Sequence, residues 1–405
     1  MTPRLLILIT ALLVSACSGV VRNPMPGDVF QQATVLGRDD LRFWANENFS
    51  PTWLTQSPEQ AEEVRRNHPA IANTEHNYLA ISGGGANGAY GAGLLVGWSA
   101  LGTRPVFTMV TGISTGALTA PFAFLGESYD EQLQEVYTTL DTSSILELGN
   151  VFNVFRADAI TDVTPLKNTI KKYVTDDMIA EIAAVHRRGR TLLIGTTNLD
   201  AGAAIYWNIG RIANTGDPDA AALIRDILLA SASIPGVFPP VYIKAQTPDG
   251  RTYDEMHVDG GTSAQMFLYP PSMDWESMTR VLKVKGTPSA YLIRNSYLRS
   301  DYDPVKPRLG PILGRTIDSL IRTQGVGDAY RIHALAERDG VDVRLTWIPD
   351  SAVDVQAEEA FDPNYMKALF DFGYERAVSG KPWLDVSDAL YSGSTENLRF
   401  EGMTP

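Results

Sequence analysis

The stretch that decides the fold is YLAISGGGANGAYGAG, residues 78–93, which is dense in glycine. An apolar run, Tyr78–Ile81, leads into the glycines, and small residues follow them. Glycine at this density marks a backbone that turns sharply or comes very close to another group. The pattern predicts a strand, a glycine loop and a buried helix. Such a loop could hold a phosphate, a cofactor or a developing negative charge.

The alternation of strand and helix continues along the chain. Since each predicted strand is followed by a helical pattern, the sequence predicts an α/β fold in three layers, with helices on both faces of a largely parallel sheet. Predicted strands include VFTMV (106–110), TLLIGTTNL (191–199), AIYWNIG (204–210), SAYLIRNSYL (289–298) and VDVRLTWIP (341–349), and predicted helices include SPEQAEEVRRNH (57–68), STGALTAPFAFLG (114–126), residues 217–233 and YMKALFDFGYERAVSG (365–380).

Composition and charge limit the function classes. The 405 residues are 44% hydrophobic and 20% charged, which is ordinary for a globular protein with a large core. The formal net charge is −13. Nucleic-acid binding depends mainly on Lys and Arg contacts with phosphates, so we expect no nucleic-acid partner.

The N-terminal sequence, MTPRLLILITALLVSACSG, has the features of a secretory signal: Arg4, a short apolar run and then small residues. Residues 14–17 resemble the lipobox of bacterial lipoproteins, in which Cys17, the single cysteine of the chain, becomes the lipidated first residue. A plain cleavable signal is the alternative. The lipobox implies a lipid anchor in the bacterial cell envelope, at the outer membrane facing the periplasm. The predicted segments are the signal (1–17), a tether and N-terminal cap (18–76), the main domain (77–381) and a tail (382–405).

The glycine loop contains a G-x-G-x-x-G pattern at Gly83, Gly85 and Gly88. A dinucleotide site would need an acidic residue about 20 positions further on to bind a ribose. The chain has no Asp or Glu between Gly88 and Glu127, and no G-K-[ST] of a nucleotide P-loop follows. We therefore expect no nucleotide cofactor.

The second predicted strand ends in a G-x-S-x-G pattern, Gly112–Gly116. This pattern is typical of a sharp strand-to-helix turn that exposes a serine, although a purely structural turn is possible. A serine that attacks a carbonyl creates an oxyanion, which needs preorganised N–H donors. The sequence thus predicts Ser114 as a nucleophile and the N–H groups of Gly83, Gly84 and Gly85 as its oxyanion hole.

The serine also needs a base, and the chain offers five histidines and one notable aspartate. His257 and His333 lie in the later part of the chain. Asp259 is followed by Gly260 and Gly261, which let the chain turn away from the carboxylate. A simple Asp-Gly turn is the alternative for this tripeptide.

Four motifs in order, GGGANG (83–88), GISTG (112–116), ASASIPGVFPPV (230–241) and VDGG (258–261), resemble the patatin-like phospholipase family. The resemblance implies an α/β/α lipid acyl hydrolase with a serine–aspartate dyad, no histidine in the dyad, and no metal or cofactor. It makes Ser114 the nucleophile and Asp259 the general base, with the loop of Gly83, Gly84 and Gly85 as the oxyanion hole. The motif glycines that support these residues are Gly88, Gly112, Gly116, Gly260 and Gly261. Asn87 departs from the Arg or Lys that the family commonly has.

The sequence motifs are also compatible with other functions. An esterase triad in the order Ser114, Asp259, His333 is permitted, and an acyltransferase or a non-catalytic lipid-binding envelope protein could share the fold. We expect a phospholipid or other acyl-lipid substrate, reached from the anchor at a membrane surface. Residues 151–155, with Phe152, and residues 265–271, with Phe267, are candidates for lipid contact, with ordinary packing as the alternative.

Overall fold

The structure, a computed structural model, describes residues 22–45, 47, 57–148, 161–298, 302, 304–350 and 352–386. The predicted signal with Cys17, the stretch 151–155 with Phe152 and the predicted tail beyond residue 386 lie outside the described residues. None of the helices within the described ranges is long and apolar enough to cross a bilayer.

The described residues form twelve strands and eleven helices. The strands are β1 (Arg42–Trp44), β2 (Asn77–Ile81), β3 (Met109–Ile113), β4 (Glu147–Leu148), β5 (Thr161–Asp162), β6 (Thr191–Asn198), β7 (Ala203–Asn208), β8 (Val241–Gln246), β9 (Thr252–Asp259), β10 (Ser289–Arg294), β11 (Asp342–Trp347) and β12 (Leu384–Asp385). The helices are α1 (Pro58–Asn67), α2 (Gly88–Ala100), α3 (Thr115–Leu125), α4 (Asp130–Thr139), α5 (Thr164–Tyr173), α6 (Asp176–Arg187), α7 (Ile209–Ala213), α8 (Ala220–Ser231), α9 (Trp275–Leu282), α10 (Leu309–Asp339) and α11 (Pro363–Val378).

The central sheet is mixed but largely parallel at its centre. Strands β6, β3, β2, β10 and β11 lie side by side in parallel. Antiparallel strands flank them, with β7 and then β1 beyond β6, and β12 beyond β11. The β8–β9 hairpin joins the carboxyl end of β6, where Asp259 pairs with Thr196. This register brings the end of β9 to the same edge as the ends of β3 and β6.

Both faces of the sheet are buried, and alternate residues of one strand reach different clusters. Leu79 and Ile81 of β2 face one apolar cluster, and Tyr78 and Ala80 face another. A parallel strand covered on both faces should be largely apolar, and β2 is apolar and buried from Tyr78 to Ile81. The three-layer α/β/α fold class is therefore confirmed.

The small residues of α2 allow a very close contact with α11. A Cβ at Gly93 would lie 1.9 Å from the carbonyl oxygen of Phe370, and one at Gly97 would lie 2.5 Å from that of Tyr374. The glycines are thus required because the two backbones nearly touch, and α2 is buried as its sequence predicts.

Several element bounds differ from those that the sequence predicts. The second strand begins at Met109 rather than Val106, and α8 begins at Ala220, after Asp217 has accepted a hydrogen bond from the Asp219 N–H. Ser57 caps α1 through a reciprocal bond with Gln60, which confirms that predicted helix start. Strands β1 and β12 show that part of the predicted cap and the start of the predicted tail pair with the sheet.

Candidate active site

Ser114 is the single residue between the end of β3 and the start of α3. Its backbone has φ 56° and ψ −126°, a conformation that residues other than glycine rarely adopt. Holding a serine there costs about 1–3 kcal/mol, and such strain is concentrated at functional sites. The side chain is 7% exposed, and the helix that starts at Thr115 directs its N-terminal N–H groups toward this turn.

Gly112 and Gly116 are required because a Cβ at either position would clash with the backbone. A Cβ at Gly112 would lie 2.4 Å from the carbonyl oxygen of Gly116, and one at Gly116 would lie 2.3 Å from that of Ile81. Both are contacts with backbone that cannot move aside. The G-x-S-x-G pattern therefore forms the sharp turn that the sequence predicts.

Asp259 ends β9 beside this turn. Its carboxylate accepts the N–H of Gly261 at 2.7 Å, and the Ser114 hydroxyl lies close enough to lower its pKa as a second hydrogen-bond donor. The residue is 5% exposed, and burial raises the pKa of its carboxyl from the usual 3.8 to about 7, with the two hydrogen bonds opposing the rise. The structure thus places a poised carboxyl group directly against the serine, with no side chain between them.

The glycine loop passes over the other side of Ser114. A Cβ at Gly83 would lie 3.1 Å from Cβ of Ser114, and one at Gly84 would lie 2.1 Å from the carbonyl oxygen of Asn295. Gly85 has φ +56° and open space around the position of a Cβ. The N–H of Gly83 donates to the carbonyl oxygen of Gln265 at 3.2 Å. The N–H groups of Gly84 and Gly85 have no hydrogen-bond acceptor among the described residues.

Sequence reasoning missed buried polar side chains that fix these loops. Ser231 accepts the N–H of Ser114 at 3.0 Å and donates to the carbonyl of Gly195 at 2.7 Å. Asn295 donates its side-chain amide to the carbonyl oxygen of Ser82 at 3.1 Å. The motif ASASIPGVFPPV contains Ser231 and could have pointed to it. None of the four sequence motifs contains Asn295.

Residues 79–270 match the family model described as patatin-like phospholipase. This segment is a patatin-like phospholipase domain. It contains the serine turn, the glycine loop and Asp259, so the resemblance seen in the sequence is confirmed. The family consists of lipid hydrolases, so membership in it implies a lipid as the class of substrate.

Further similarities of the patatin-like domain are remote. No curated protein matches the chain. Among solved structures, VipD from Legionella pneumophila is similar over 77% of this chain and 68% of its own, with 12% sequence identity and a TM-score of 0.33.

An apolar cavity of about 70 Å³ opens beside the serine turn of the patatin-like domain. Its lining includes Gly85 of the glycine loop and Thr115, the residue after Ser114. Its apolar walls come from helices α3, α4, α5 and α11: Leu118, Phe122, Val136, Leu166, Ile170 and Met366. A larger cavity, about 530 Å³, opens instead near Tyr78, Met109 and Thr191, at the amino ends of their strands and so at the opposite edge of the sheet.

The histidines have other neighbours. His257 is fully buried between the Thr196 hydroxyl, at 3.0 Å, and the carboxylate of Glu255, at 3.1 Å. His333 lies on α10 with its Nε2 3.7 Å from Oε1 of Glu337, one turn further on. In the patatin-like domain Asp259 therefore reaches Ser114 without a histidine as intermediary.

Two further residues behave differently from their sequence-based interpretation. Asn87 accepts a hydrogen bond from the Tyr365 hydroxyl at 2.8 Å, so the glycine loop is tied to α11 where the family commonly has a cation. Phe267 was a candidate for lipid contact, and that prediction is wrong. It is 3% exposed and its ring stacks on Tyr206 with 3.8 Å between centroids.

Proposed function

We propose that the protein is a serine lipid acyl hydrolase that cleaves fatty acyl esters of phospholipids or lysophospholipids. Ser114 is the nucleophile and Asp259 the general base of a two-residue dyad. The observation that carries this proposal is the buried carboxyl group of Asp259 beside the strained turn that holds Ser114, with a pKa of about 7 that the Ser114 hydroxyl acts on directly. A base is most effective when its pKa is close to the working pH.

In the first half of the reaction, Asp259 takes the proton of the Ser114 hydroxyl as the oxygen attacks the ester carbonyl. The oxyanion that forms accepts hydrogen bonds from the N–H groups of Gly84 and Gly85, because that of Gly83 already donates to Gln265. The C–O bond to the alcohol then breaks, and protonated Asp259 returns its proton to the leaving alcohol. The acyl group stays on Ser114.

In the second half, ionised Asp259 takes a proton from water, which attacks the acyl carbonyl. The second oxyanion collapses and the bond to Ser114 breaks as protonated Asp259 returns its proton to the Ser114 oxygen. The fatty acid leaves and both residues are back in their starting states. The apolar cavity beside Gly85 and Thr115 suits the first part of the acyl chain, since its walls are almost entirely apolar. These steps need only groups of this chain and water.

We also propose that Cys17 carries a lipid anchor that holds the enzyme at the outer membrane, facing the periplasm. The support is the lipobox-like sequence alone. Incorporation of a labelled fatty acid into the wild-type chain, but not into Cys17→Ser, is the expected result. Labelling of both chains alike would contradict the anchor.

The proposed function is tested by hydrolysis of a short-chain ester and of phospholipid vesicles. Ser114→Ala and Asp259→Asn should each lower turnover at least about a thousandfold, because each removes a group that acts in both halves. His333→Ala is the control and should keep wild-type turnover. A large loss in His333→Ala with retained folding would favour the triad.

The same assay distinguishes the hydrolase from an acyltransferase and from a lipid-binding protein. A folded wild-type chain that labels with a fluorophosphonate but releases no fatty acid would point to an acyltransferase with another acceptor. A folded chain that neither labels nor hydrolyses would point to a lipid-binding protein. Either result would overturn the hydrolase.

A further inference from the structure

Helix α10 is much longer than the sheet it covers. Its 31 residues span about 46 Å, whereas the six residues of β11 span about 20 Å. The helix ends just before β11 begins, so its C-terminal end lies at the amino edge of the parallel strands. Its N-terminal half must therefore lie toward the carboxyl edge, where Ser114 is.

The point where α10 crosses that edge is fixed by a close contact. A Cβ at Gly325 would lie 2.0 Å from Nη1 of Arg294, the last residue of β10. The roughly 16 residues from Leu309 to Gly325 thus extend about 24 Å along the helix axis on the active-site side.

The two halves of α10 differ in burial. In the C-terminal half, Ala329, Ile332 and Ala336 are buried in the core. In the N-terminal half, four large apolar side chains are exposed, with Leu309 at 74% and Leu320 at 64%. At about 100° per residue these four fall within an arc of about 140°, so they form one face of the helix. We call this set the docking face: Leu309, Ile312, Ile317 and Leu320.

Basic residues flank the docking face. Arg308, Arg315 and Arg322 are seven residues apart and so form a row along one side of it. Residues 304–324 contain these three arginines and Lys306 but one acidic residue, Asp318, in a chain whose net charge is −13. Asp318 lies 3.4 Å from Arg315 and 2.9 Å from Arg322, so one carboxylate is shared by two guanidinium groups. An apolar face beside a row of arginines is typical of helices that lie in an anionic lipid surface.

The same helix also contacts the catalytic loops. Asp328 accepts the N–H of Gln265 at 2.6 Å, and the Gln265 carbonyl accepts the N–H of Gly83. The side-chain amide of Gln265 also donates to the carbonyl of Gly261, next to the Asp259 loop, at 2.8 Å. A surface that binds the docking face is therefore held at a fixed position relative to Ser114.

We propose that the docking face binds an anionic lipid bilayer and turns the active-site edge of the sheet toward it. The inference rests on the proposed lipid substrate, but its test measures binding and needs no turnover. Apolar side chains would enter the interface and the arginine row would contact anionic headgroups. A second copy of this chain is the other possible occupant, and the experiment distinguishes it.

The single cysteine of the chain allows a site-specific probe. In the full chain with Cys17→Ser and Ser114→Ala, an environment-sensitive fluorophore is attached at Leu309→Cys or Leu320→Cys. The matched control is Val106→Cys, since Val106 is an equally exposed apolar residue at 73% but precedes β3, at the opposite edge of the sheet. The probe should become brighter and shift to the blue at 309 and 320, but not at 106, when vesicles containing phosphatidylglycerol are added.

Three results would overturn the proposal. The first is a response at 309 and 320 no larger than at 106. The second is a response to neutral vesicles equal to that to anionic vesicles. The third is a change that depends on protein concentration without vesicles, which would assign the face to a second copy.

Affinity measurements test the two contributions separately. Leu309→Asp with Leu320→Asp should weaken binding to the anionic vesicles at least about tenfold. Arg315→Gln should weaken it roughly fivefold at low salt and much less at high salt. Unchanged affinity in both variants would contradict the docking face, whatever the hydrolysis assay shows, because Ser114→Ala removes turnover from all of these proteins.

Discussion

Glu255 and Asp259 lie four residues apart on β9 and so on the same side of the strand, yet the pKa values of their carboxyl groups are far apart. Both are buried, at 1% and 5% exposure. Burial favours the neutral form of each carboxyl group, but hydrogen bonds from Arg42 and His257 hold the pKa of Glu255 at about 2. Among the described residues, the Asp259 carboxyl group has the uncharged Gly261 N–H as a donor and the Ser114 hydroxyl beside it, and its pKa is about 7.

In the proposed mechanism, the partners of each carboxyl group, rather than its burial, decide which carboxyl group is structural and which one acts as the base. Glu255 has a guanidinium that compensates its charge, so it stays ionised and cannot act as a base near neutral pH. Asp259 has donors that orient it but carry no charge. Two carboxyl groups on one strand are thus assigned different roles by their neighbours.

His257 belongs to the structural side of this comparison. Burial lowers the pKa of its imidazole, and its two nitrogens face Glu255 and Thr196. The Glu255 carboxylate can only accept, so Nε2 of a neutral imidazole carries the proton and Nδ1 accepts from the Thr196 hydroxyl, which itself accepts from Nε1 of Trp207 at 2.8 Å. The histidine closest in sequence to Asp259 is therefore fixed as a neutral packing group.

The largest expected effect comes from removing the compensating charge. Arg42→Met leaves Glu255 buried without its guanidinium, and the free energy of unfolding should fall by about 3–5 kcal/mol. Denaturant unfolding at pH 7 measures this. The matched control is Lys244→Met on the partner strand β8, whose partner Asp254 is on the other side of β9 and whose side chain is 70% exposed. That change should cost less than about 1 kcal/mol. If Arg42→Met and Lys244→Met lost the same unfolding free energy, the charge of Glu255 would not depend on Arg42.

A slightly smaller effect should appear when the charge of Asp259 itself is removed. Its pKa is raised in the folded protein, so its contribution to stability is full below about pH 4 and is lost as pH rises through about 7. Asp259→Asn cannot ionise. Relative to wild type, the variant should therefore gain roughly 3–4 kcal/mol in the free energy of unfolding between about pH 4 and pH 8. A difference between the two proteins that stays constant with pH would show that Asp259 titrates normally.

Much of this arrangement could be predicted from sequence because it is local. The turn at Ser114 needs glycines at fixed offsets, and the loop after β2 needs backbone without side chains, so both leave short patterns. The parallel strands are rich in apolar residues because both faces of the sheet are covered. The order of the four motifs then identified the family.

The rest depends on contacts between distant positions, which leave no pattern. Arg42 and Glu255 are 213 residues apart, and neither has a local motif. Gln265 joins the glycine loop to the Asp259 loop, but in the sequence it begins an apolar stretch that suggested lipid contact. The apolar residues of the docking face instead lie on α10, which the sequence did not predict as one helix because glycine and proline interrupt its pattern at Gly310, Pro311, Gly314, Gly325 and Gly327.

The pKa of Asp259 also predicts a moderate pH dependence of ester hydrolysis. If Asp259 must be ionised to act as a base, kcat/KM for a soluble short-chain ester should fall about tenfold per pH unit below pH 7 and level off above it. A soluble ester is chosen so that vesicle charge does not titrate with the enzyme. Arg22→Gln is the control. It changes a charge that pairs with Asp200 at 2.6 Å, near the surface, and should leave the midpoint in place. A midpoint near pH 4 would mean that Asp259 behaves like an ordinary aspartate. The dyad would then lose the property that distinguishes Asp259 from Glu255, since neither carboxyl group would be near its pKa at neutral pH.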